Sequence, residues 1–189
     1  MELWLIRHTT PKIDQGICYG QLDLDVDANF NDESREIKKH LENIIFDKVY
    51  SSPLKRCYQL AQSLFGKRNI IKDDRLKEIN FGEWEGQKWE DIKREALDNW
   101  GNDYINQKPP QGESFGELIH RTNQFIATLH GENYNKIAIV THSGILRAFL
   151  INYLDIPPLK VFNLELSYGS IIKVHIRSDK FQQVKFIKG

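Results

Sequence analysis

The architecture of this chain is decided by residues 136–153, which read KIAIVTHSGILRAFLINY. The run from Ile137 to Thr141 is apolar or β-branched throughout and predicts, with Lys136, a strand buried on both faces of a sheet. The residues that follow His142-Ser143-Gly144 recur at the spacing of an apolar helical face: Ile145, Leu146, Phe149, Leu150 and Tyr153. A buried strand followed at once by a helix is typical of an α/β protein with a parallel sheet.

The same alternation of strand and helix patterns continues on both sides of that stretch. Strands are predicted near Glu2–Ile6 and Lys48–Ser51, and a helix with Asn31 or Asp32 as its N-cap carries the apolar residues Ile37, Leu41, Ile44 and Ile45. Two segments near the C-terminus predict a closing hairpin at an antiparallel edge: Leu166–Ile176 and Phe181–Ile187. We therefore expect one domain over residues 1–189, with a three-layer α/β/α fold around a mostly parallel central sheet.

Three short polar segments stand where predicted strands end: Arg7-His8, Ser51–Arg56 and Thr141–Gly144. In open α/β sheets, ligands collect outside the carboxyl ends of the strands, so these segments should meet although they are far apart in sequence. Arginine forks and the backbone donors at a helix start both bind phosphate oxygens. Together with two histidines, they predict an enzyme that passes a phosphoryl group through histidine.

Each residue in these segments has a chemical reason to be there. His8 is the candidate nucleophile, because neutral imidazole has a free lone pair near neutral pH and forms a phosphoramidate that water can hydrolyse. Its other ring nitrogen must donate to an acceptor that the sequence does not reveal. Arg7 and Arg56 can each hold two oxygens of the phosphate. His142 can stabilise the transferring group, and Ser143-Gly144 supplies backbone donors.

A leaving alkoxide also needs a proton, and a carboxylic acid close to the phosphate can supply it. The candidates are Glu78, Glu83 and Glu85, which lie within residues 76–86, and Glu113, which precedes a predicted helix start. Residue types and spacing do not choose among the four.

Composition narrows the class of protein further. Acidic and basic residues balance at 26 each, so no global charge attracts nucleic acid or an anionic membrane. No apolar run approaches the ~20 residues that a membrane-spanning helix needs, and no export signal is visible at the N-terminus. The two cysteines, Cys18 and Cys57, are scattered and fit a reducing cytosol, and no set of metal ligands is evident. We expect a cytoplasmic enzyme that acts on a small phosphomonoester, and a homodimer is left open.

At these residues the chain resembles the histidine phosphatase superfamily, which has the phosphoglycerate mutase-like fold. The resemblance implies that His8 is a phosphohistidine nucleophile, that Arg7, Arg56 and His142 complete the phosphate pocket, and that Glu78 is the proton donor. It rests on five motifs taken together: residues 5–9, 51–57, 78–86, 112–114 and 140–144.

Within that superfamily, residues 7–11 and 16–24 are similar to the alpha-ribazole phosphatases of cobalamin biosynthesis. This resemblance implies hydrolysis of alpha-ribazole 5'-phosphate, or of adenosylcobalamin 5'-phosphate, without a metal or other cofactor. The substrate-binding residues expected from it are Arg7, Thr10, Gln21, Arg56, Ser143 and Gly144. The chain departs from the common superfamily pattern at Thr9, where glycine is usual, and over residues 25–30, a loop expected near the pocket mouth.

Other functions compete with this interpretation. One is a broad-specificity phosphatase of sugar phosphates or nucleotides. A phosphoglycerate mutase ranks lower, because family mutases carry a longer insertion than the modest stretch between Gly86 and Gly112. A non-catalytic phosphate-binding protein ranks last, because every expected catalytic residue is present.

Overall fold

A single six-stranded sheet organises the chain. The structure, a computed structural model, describes residues 1–66, 69–130, 134–178 and 181–189. The strands are β1 (Glu2–Arg7), β2 (Lys48–Ser51), β3 (Ile70–Lys72), β4 (Lys136–Thr141), β5 (Ile171–Ser178) and β6 (Phe181–Lys188). Their order is β3-β2-β4-β1-β5-β6. The first four run parallel, and β5 and β6 form an antiparallel edge. The prediction of a mostly parallel sheet with a closing hairpin is confirmed.

Helices cover both faces of this sheet. They are α1 (Phe30–Lys39), α2 (Lys55–Phe65), α3 (Arg94–Asn102), α4 (Phe115–His130) and α5 (Ser143–Leu154), and short 3-10 helices lie in the connections. Successive strand residues alternate between two cores, as the pleat requires. Leu3 and Leu5 pack with α4 and α5, whereas Trp4 and Ile6 pack with α1 and α2. Burial on both faces explains why β1 and β4 read as continuous apolar runs.

The first helix differs from the prediction at both ends. It begins at Phe30 and its N-cap is Asn29, whose N–H donates to the Asp27 carboxylate, so neither Asn31 nor Asp32 is the N-cap. It ends at Lys39, and the chain then turns, with Asn43 at a φ of 65°. Leu41 is buried from within this turn, whereas Ile45 is 76% exposed. The helical spacing of apolar residues continues past Lys39 in the sequence, because a turn can also bury an occasional apolar side chain.

The segment that leads into the antiparallel strand β5 also differs from the prediction. Strand β5 begins at Ile171 rather than at Leu166. Residues 166–170 instead run past the end of β1, where the Arg7 N–H donates to Ser170 O and the Gly169 N–H donates to His8 O. These irregular bonds replace a strand ladder, so the apolar pattern of the segment did not reveal its conformation.

Strand register brings the predicted polar segments to one edge of the sheet. Arg7 pairs with Thr141 across β1 and β4, and Ser51 pairs with Val140 across β2 and β4. The next residues continue these alignments: the His8 N–H donates to Thr141 O and the Ser52 N–H donates to Val140 O. His8, Ser52 and His142 therefore leave three adjacent strands at the same level.

Candidate active site

The two histidines and Arg56 meet directly at this edge. The ring centres of His8 and His142 are 5.1 Å apart, and the Arg56 Nε–H donates to His8 Nε2 over 3.3 Å. His142 and Arg56 are fully buried and His8 is 2% exposed. Strand register thus brings together residues that are up to 134 positions apart in the sequence, as their places near strand ends predicted.

The orientation of His8 is set by its own neighbour. Its Nδ1 lies 2.6 Å from the carbonyl oxygen of Thr9. A carbonyl can only accept, so Nδ1 carries the hydrogen and the lone pair resides on Nε2. Burial, reinforced by the charges of Arg56 and Arg7, lowers the pKa of His8 well below its ordinary value. The imidazole is therefore neutral at physiological pH, with a nucleophilic nitrogen held beside Arg56.

Both arginines are held by backbone carbonyls and still have donors to spare. Arg56 donates from Nη1 to Leu22 O over 2.9 Å and from Nη2 to Gly20 O over 2.6 Å. Arg7 donates from Nη1 to Leu166 O. Its Nε is buried and has no hydrogen-bond partner among the residues that the structure describes. A buried, unpaired guanidinium N–H beside His8 is suited to an oxygen of a bound phosphate.

His142 is held by two residues that follow β2 in the sequence. Its Nε2 lies 2.8 Å from Ser52 Oγ and 3.4 Å from Cys57 Sγ. Burial lowers the pKa of His142 and the charge of Arg56 adds to that effect, so this ring is also neutral. Burial raises the pKa of the Cys57 thiol, which makes the thiol a packing group rather than a nucleophile. His142 itself is the N-cap of α5, which begins at Ser143.

The start of α5 holds a carboxylate. The Gly144 N–H lies 3.1 Å from Glu78 Oε1 and 3.2 Å from Oε2, and Ser143 Oγ–H donates to Oε2 over 3.3 Å. A Cβ on residue 144 would lie 2.2 Å from Glu78 Oε1, so this close approach requires glycine. The donors of the turn that was predicted to hold a phosphate thus contact the carboxyl group of Glu78 in this structure.

The four candidate acids now separate by position. Glu78 lines the same cavity as His8. Glu85 accepts from the backbone N–H groups of Gln21 and Leu22, and Glu113 accepts from Asn80 N–H and pairs with Arg121 at 2.6 Å. Glu83 is exposed, and its Oε1 accepts from Gln111 Nε2 over 2.8 Å. The geometry favours Glu78 as the group that can reach a leaving oxygen.

A cavity of about 480 Å³ opens from these groups and is largely aromatic. Arg7, His8, Glu78, Ser143 and Gly144 line its polar part. Seven aromatic side chains form the remaining wall together with Ile17, Ile79 and Gly101: Tyr19, Phe81, Trp89, Trp100, Tyr104, Phe115 and Phe162. Trp89 and Trp100 are stacked, with ring centres 6.3 Å apart and an interplanar angle of 26°. A flat apolar group attached to a phosphate fits such a site.

Comparison with known proteins settles the family. The model of the histidine phosphatase superfamily (branch 1) matches residues 3–188 of this chain. The chain belongs to that superfamily. The resemblance inferred from the sequence motifs is confirmed, and this histidine phosphatase is a phosphoric monoester hydrolase.

Several named relatives span nearly the whole chain. The adenosylcobalamin/alpha-ribazole phosphatase of Escherichia coli is 28% identical over 195 residues, which cover 99% of this chain and 95% of that protein. A putative phosphoserine phosphatase of Hydrogenobacter thermophilus is 27% identical and covers 95% of this chain and 91% of its own. The crystal structure of the alpha-ribazole phosphatase from Shigella flexneri superimposes with a TM-score of 0.90 at 26% identity, covering 98% and 95% of the two chains. The phosphoglycerate mutase-like fold is therefore confirmed.

Three expected substrate-binding residues of this histidine phosphatase lie outside the cavity lining: Thr10, Gln21 and the fully buried Arg56. Thr10 donates from its N–H and its hydroxyl to Glu33 on α1, both over 2.8 Å. Gln21 donates from Nε2 to the Glu78 carbonyl over 3.1 Å. All three side chains, Arg56 included, are engaged in protein contacts, and their part in substrate binding stays a prediction.

The aromatic wall and Tyr168 were not predicted from the sequence. Tyr168 lies in the segment before β5, and its ring is 4.1 Å from the Arg7 guanidinium carbon and 5.5 Å from the centre of the His8 ring. A signal for the wall existed, because Trp89, Trp100 and Tyr104 crowd an otherwise polar and irregular segment. No comparable signal marks Tyr168, whose neighbours in sequence are ordinary loop residues.

A metal-binding cluster and a membrane-spanning helix are both absent from the described parts of the chain, residues 1–66, 69–130, 134–178 and 181–189. These parts contain no group of three side chains placed to hold a metal ion. No helix among them is long and apolar enough to cross a membrane.

Acidification should weaken the fold of this histidine phosphatase, because His8 and His142 are buried in neutral form. An unfolded histidine takes up a proton near pH ~6.5, whereas these two resist it in the folded state. Below that pH the unfolded chain binds more protons, so the free energy of unfolding falls as pH decreases and levels off above it. Urea denaturation between about pH 5 and 7 measures this slope. The His8→Asn variant should have a shallower slope, and equal slopes would contradict the assignment.

Proposed function

We propose that this histidine phosphatase hydrolyses alpha-ribazole 5'-phosphate, or the corresponding adenosylcobalamin 5'-phosphate, through a phosphohistidine at His8. The observation that carries this proposal is the aromatic cavity that opens from the His8, Arg7 and Glu78 cluster. Alpha-ribazole 5'-phosphate joins a ribose phosphate to a flat, apolar benzimidazole. Its phosphate suits the polar end of the cavity, and its base suits the stacked Trp89 and Trp100.

The proposed reaction proceeds in two displacements. His8 Nε2 attacks phosphorus while the bond to the substrate's 5'-oxygen breaks, and the charge that spreads over the equatorial oxygens is met by N–H groups of Arg7 and Arg56. Glu78, in its carboxylic acid form, gives its proton to the leaving oxygen. Water then attacks the phosphohistidine, Glu78 takes a proton from that water, and the N–P bond breaks. Inorganic phosphate leaves and His8 is restored.

The lining of the cavity also argues against phosphoserine as the preferred substrate. Phosphoserine carries an α-carboxylate and an ammonium group besides its phosphate, and both need charged or strongly polar partners when they leave water. Within the described chain, the acidic and basic side chains that line the cavity are Arg7, His8 and Glu78, which the phosphoryl transfer itself requires. The same reasoning applies to the carboxylate of a phosphoglycerate.

The test is kcat/KM for a panel of phosphomonoesters that includes alpha-ribazole 5'-phosphate, phosphoserine and glycerol phosphate. We expect a preference of several orders of magnitude for alpha-ribazole 5'-phosphate. A flat profile that still depends on His8 would keep the phosphatase and reject this substrate, in favour of a broad-specificity phosphatase of sugar phosphates or nucleotides.

The Trp100→Ala variant probes the aromatic wall directly. Losing one stacking surface should lower kcat/KM for alpha-ribazole 5'-phosphate by about fivefold, since an aromatic contact is worth roughly 1 kcal/mol beyond simple burial. Activity on glycerol phosphate, which has no ring to stack, should change little. Trp100→Phe is the matched control, because it keeps an aromatic face and should retain most of the preference. An equal loss on both substrates would assign Trp100 to the fold rather than to specificity.

A further inference from the structure

Arg7 is held by residues of the segment that precedes β5. Its guanidinium donates to the Leu166 carbonyl and lies 4.1 Å beneath the ring of Tyr168. The contact of a guanidinium with an aromatic face restrains both the position and the plane of the cation. The segment before β5 therefore restrains the Arg7 guanidinium through one hydrogen bond and one aromatic contact.

Arg56 is held in the same manner by the loop that follows β1. The carbonyls of Gly20 and Leu22 accept from its two terminal nitrogens, and the ring of Tyr19 lies 5.5 Å from its guanidinium carbon. Each phosphate-binding arginine is thus matched with one tyrosine, and that tyrosine belongs to the segment whose carbonyls hold the arginine.

The two tyrosines meet through their hydroxyl groups, with oxygens 2.5 Å apart. They are separated by 149 residues in sequence, so this contact joins two otherwise distant loops. Burial raises the pKa of Tyr19, and the hydrogen bond with Tyr168 adds to the effect. The Tyr19 hydroxyl is therefore protonated at neutral pH, and the contact is an un-ionised hydrogen bond.

We propose that Tyr19 and Tyr168 are positioning residues whose shared hydrogen bond sets the separation of Arg7 and Arg56 around the transferring phosphoryl group. The proposal rests on the proposed function of this pocket, because it takes both arginines to be ligands of that group. A displacement of about 1 Å in a positioning residue can cost a large part of the rate, since transfer depends on simultaneous contacts to the equatorial oxygens. The contact between the two hydroxyl groups, the hydroxyl bridge, joins the two segments that hold the arginines.

The experiment compares Tyr19→Phe, Tyr168→Phe and the double variant. The readouts are the Kd for vanadate by calorimetry and the kcat and KM for glycerol phosphate. Each single change removes the bridge and keeps the ring over its arginine. We expect each to weaken vanadate binding and to lower kcat by about fivefold, the effect of losing one hydrogen bond. The double variant should lose no more than either single one, because the bridge is already gone.

Tyr58→Phe is the matched control. Tyr58 also carries a cation over its ring, with Lys72 Nζ at 3.7 Å, but it does not line the cavity. It should leave vanadate binding and kcat unchanged. Single variants with normal vanadate affinity would overturn the proposal, and so would a double variant whose loss is the product of the two single losses.

A second change separates positioning from folding. Tyr168→Leu removes the ring from Arg7 as well as the hydroxyl, and it should weaken vanadate binding more than Tyr168→Phe does. Equal thermal stability of the Phe variants and the wild type would assign the loss to the pocket. Vanadate and glycerol phosphate carry no aromatic base, so a wrong substrate assignment would leave these results intact. A wrong positioning assignment would leave the alpha-ribazole preference intact.

Discussion

Replacing His8 with alanine is expected to reduce turnover of every phosphomonoester by about four orders of magnitude or more, the usual cost of removing a covalent nucleophile. The reason is geometric. Because Nδ1 of His8 is hydrogen-bonded to the Thr9 carbonyl, Nε2 is the ring nitrogen whose lone pair can attack phosphorus. We also expect labelled substrate to leave an acid-labile phosphoenzyme in the wild type and none in the variant. Rapid acid quench followed by detection of phosphohistidine measures this directly.

His120→Ala is the control for that experiment. His120 is exposed on α4, where its Nε2 contacts Gln124 3.1 Å away, and its loss should leave turnover and phosphoenzyme unchanged. Full activity in the His8→Ala variant would reject the covalent mechanism. If the wild type bound vanadate but turned over no ester, the result would instead favour a phosphate-binding protein on the same fold.

The Glu78→Gln variant should show a loss that depends on the leaving group. With alpha-ribazole 5'-phosphate, which releases a basic alkoxide, kcat should fall by about a hundredfold to ten-thousandfold, the usual contribution of a general acid. With p-nitrophenyl phosphate, whose leaving group departs without a proton, the loss should be much smaller. Glutamine keeps the side-chain shape, and its carbonyl oxygen can still accept from the Gly144 N–H.

Glu83→Gln tests the nearest alternative acid. Glu83 is in the same motif, but its carboxylate contacts Gln111 at the surface rather than lining the cavity, so this change should have little effect on either substrate. Equal losses on both substrates in Glu78→Gln would mean that Glu78 supports the pocket without donating the proton. A leaving-group-dependent loss in Glu83→Gln would transfer the role to Glu83.

Local patterns predicted the strands of the site closely. Strand β4 spans Lys136–Thr141 as expected, and β1 extends only one residue beyond the prediction, to Arg7. Both succeed because strands buried on two faces leave a continuous apolar signal that ends abruptly at polar residues. Where burial comes from a turn or an irregular segment, as at Leu41 and Leu166, the same apolar residues misled the prediction.

The choice among the four glutamates marks the limit of local reasoning. Glu78, Glu83, Glu85 and Glu113 are chemically equivalent in the sequence, and residue spacing left all four open. In the structure, Glu85 and Glu113 hold loop backbone and Glu83 lies at the surface, whereas Glu78 faces the cavity. The difference arises from the path of residues 76–86 past the start of α5, which depends on how the whole sheet is assembled.

The sequence by itself determined the α/β class and the positions of His8 and His142 directly after β1 and β4, and it predicted the phosphoryl chemistry that they can perform with Arg56. These features follow from local periodicity and from residue types adjacent in the chain. Only the tertiary structure decided that Thr9 O orients His8, that the aromatic cavity adjoins it, and that Tyr19 meets Tyr168. The cavity and the tyrosine contact join side chains many residues apart across irregular loops, and no repeating pattern encodes the path of such loops. The Thr9 carbonyl can orient His8 only because packing selects one orientation of the His8 ring.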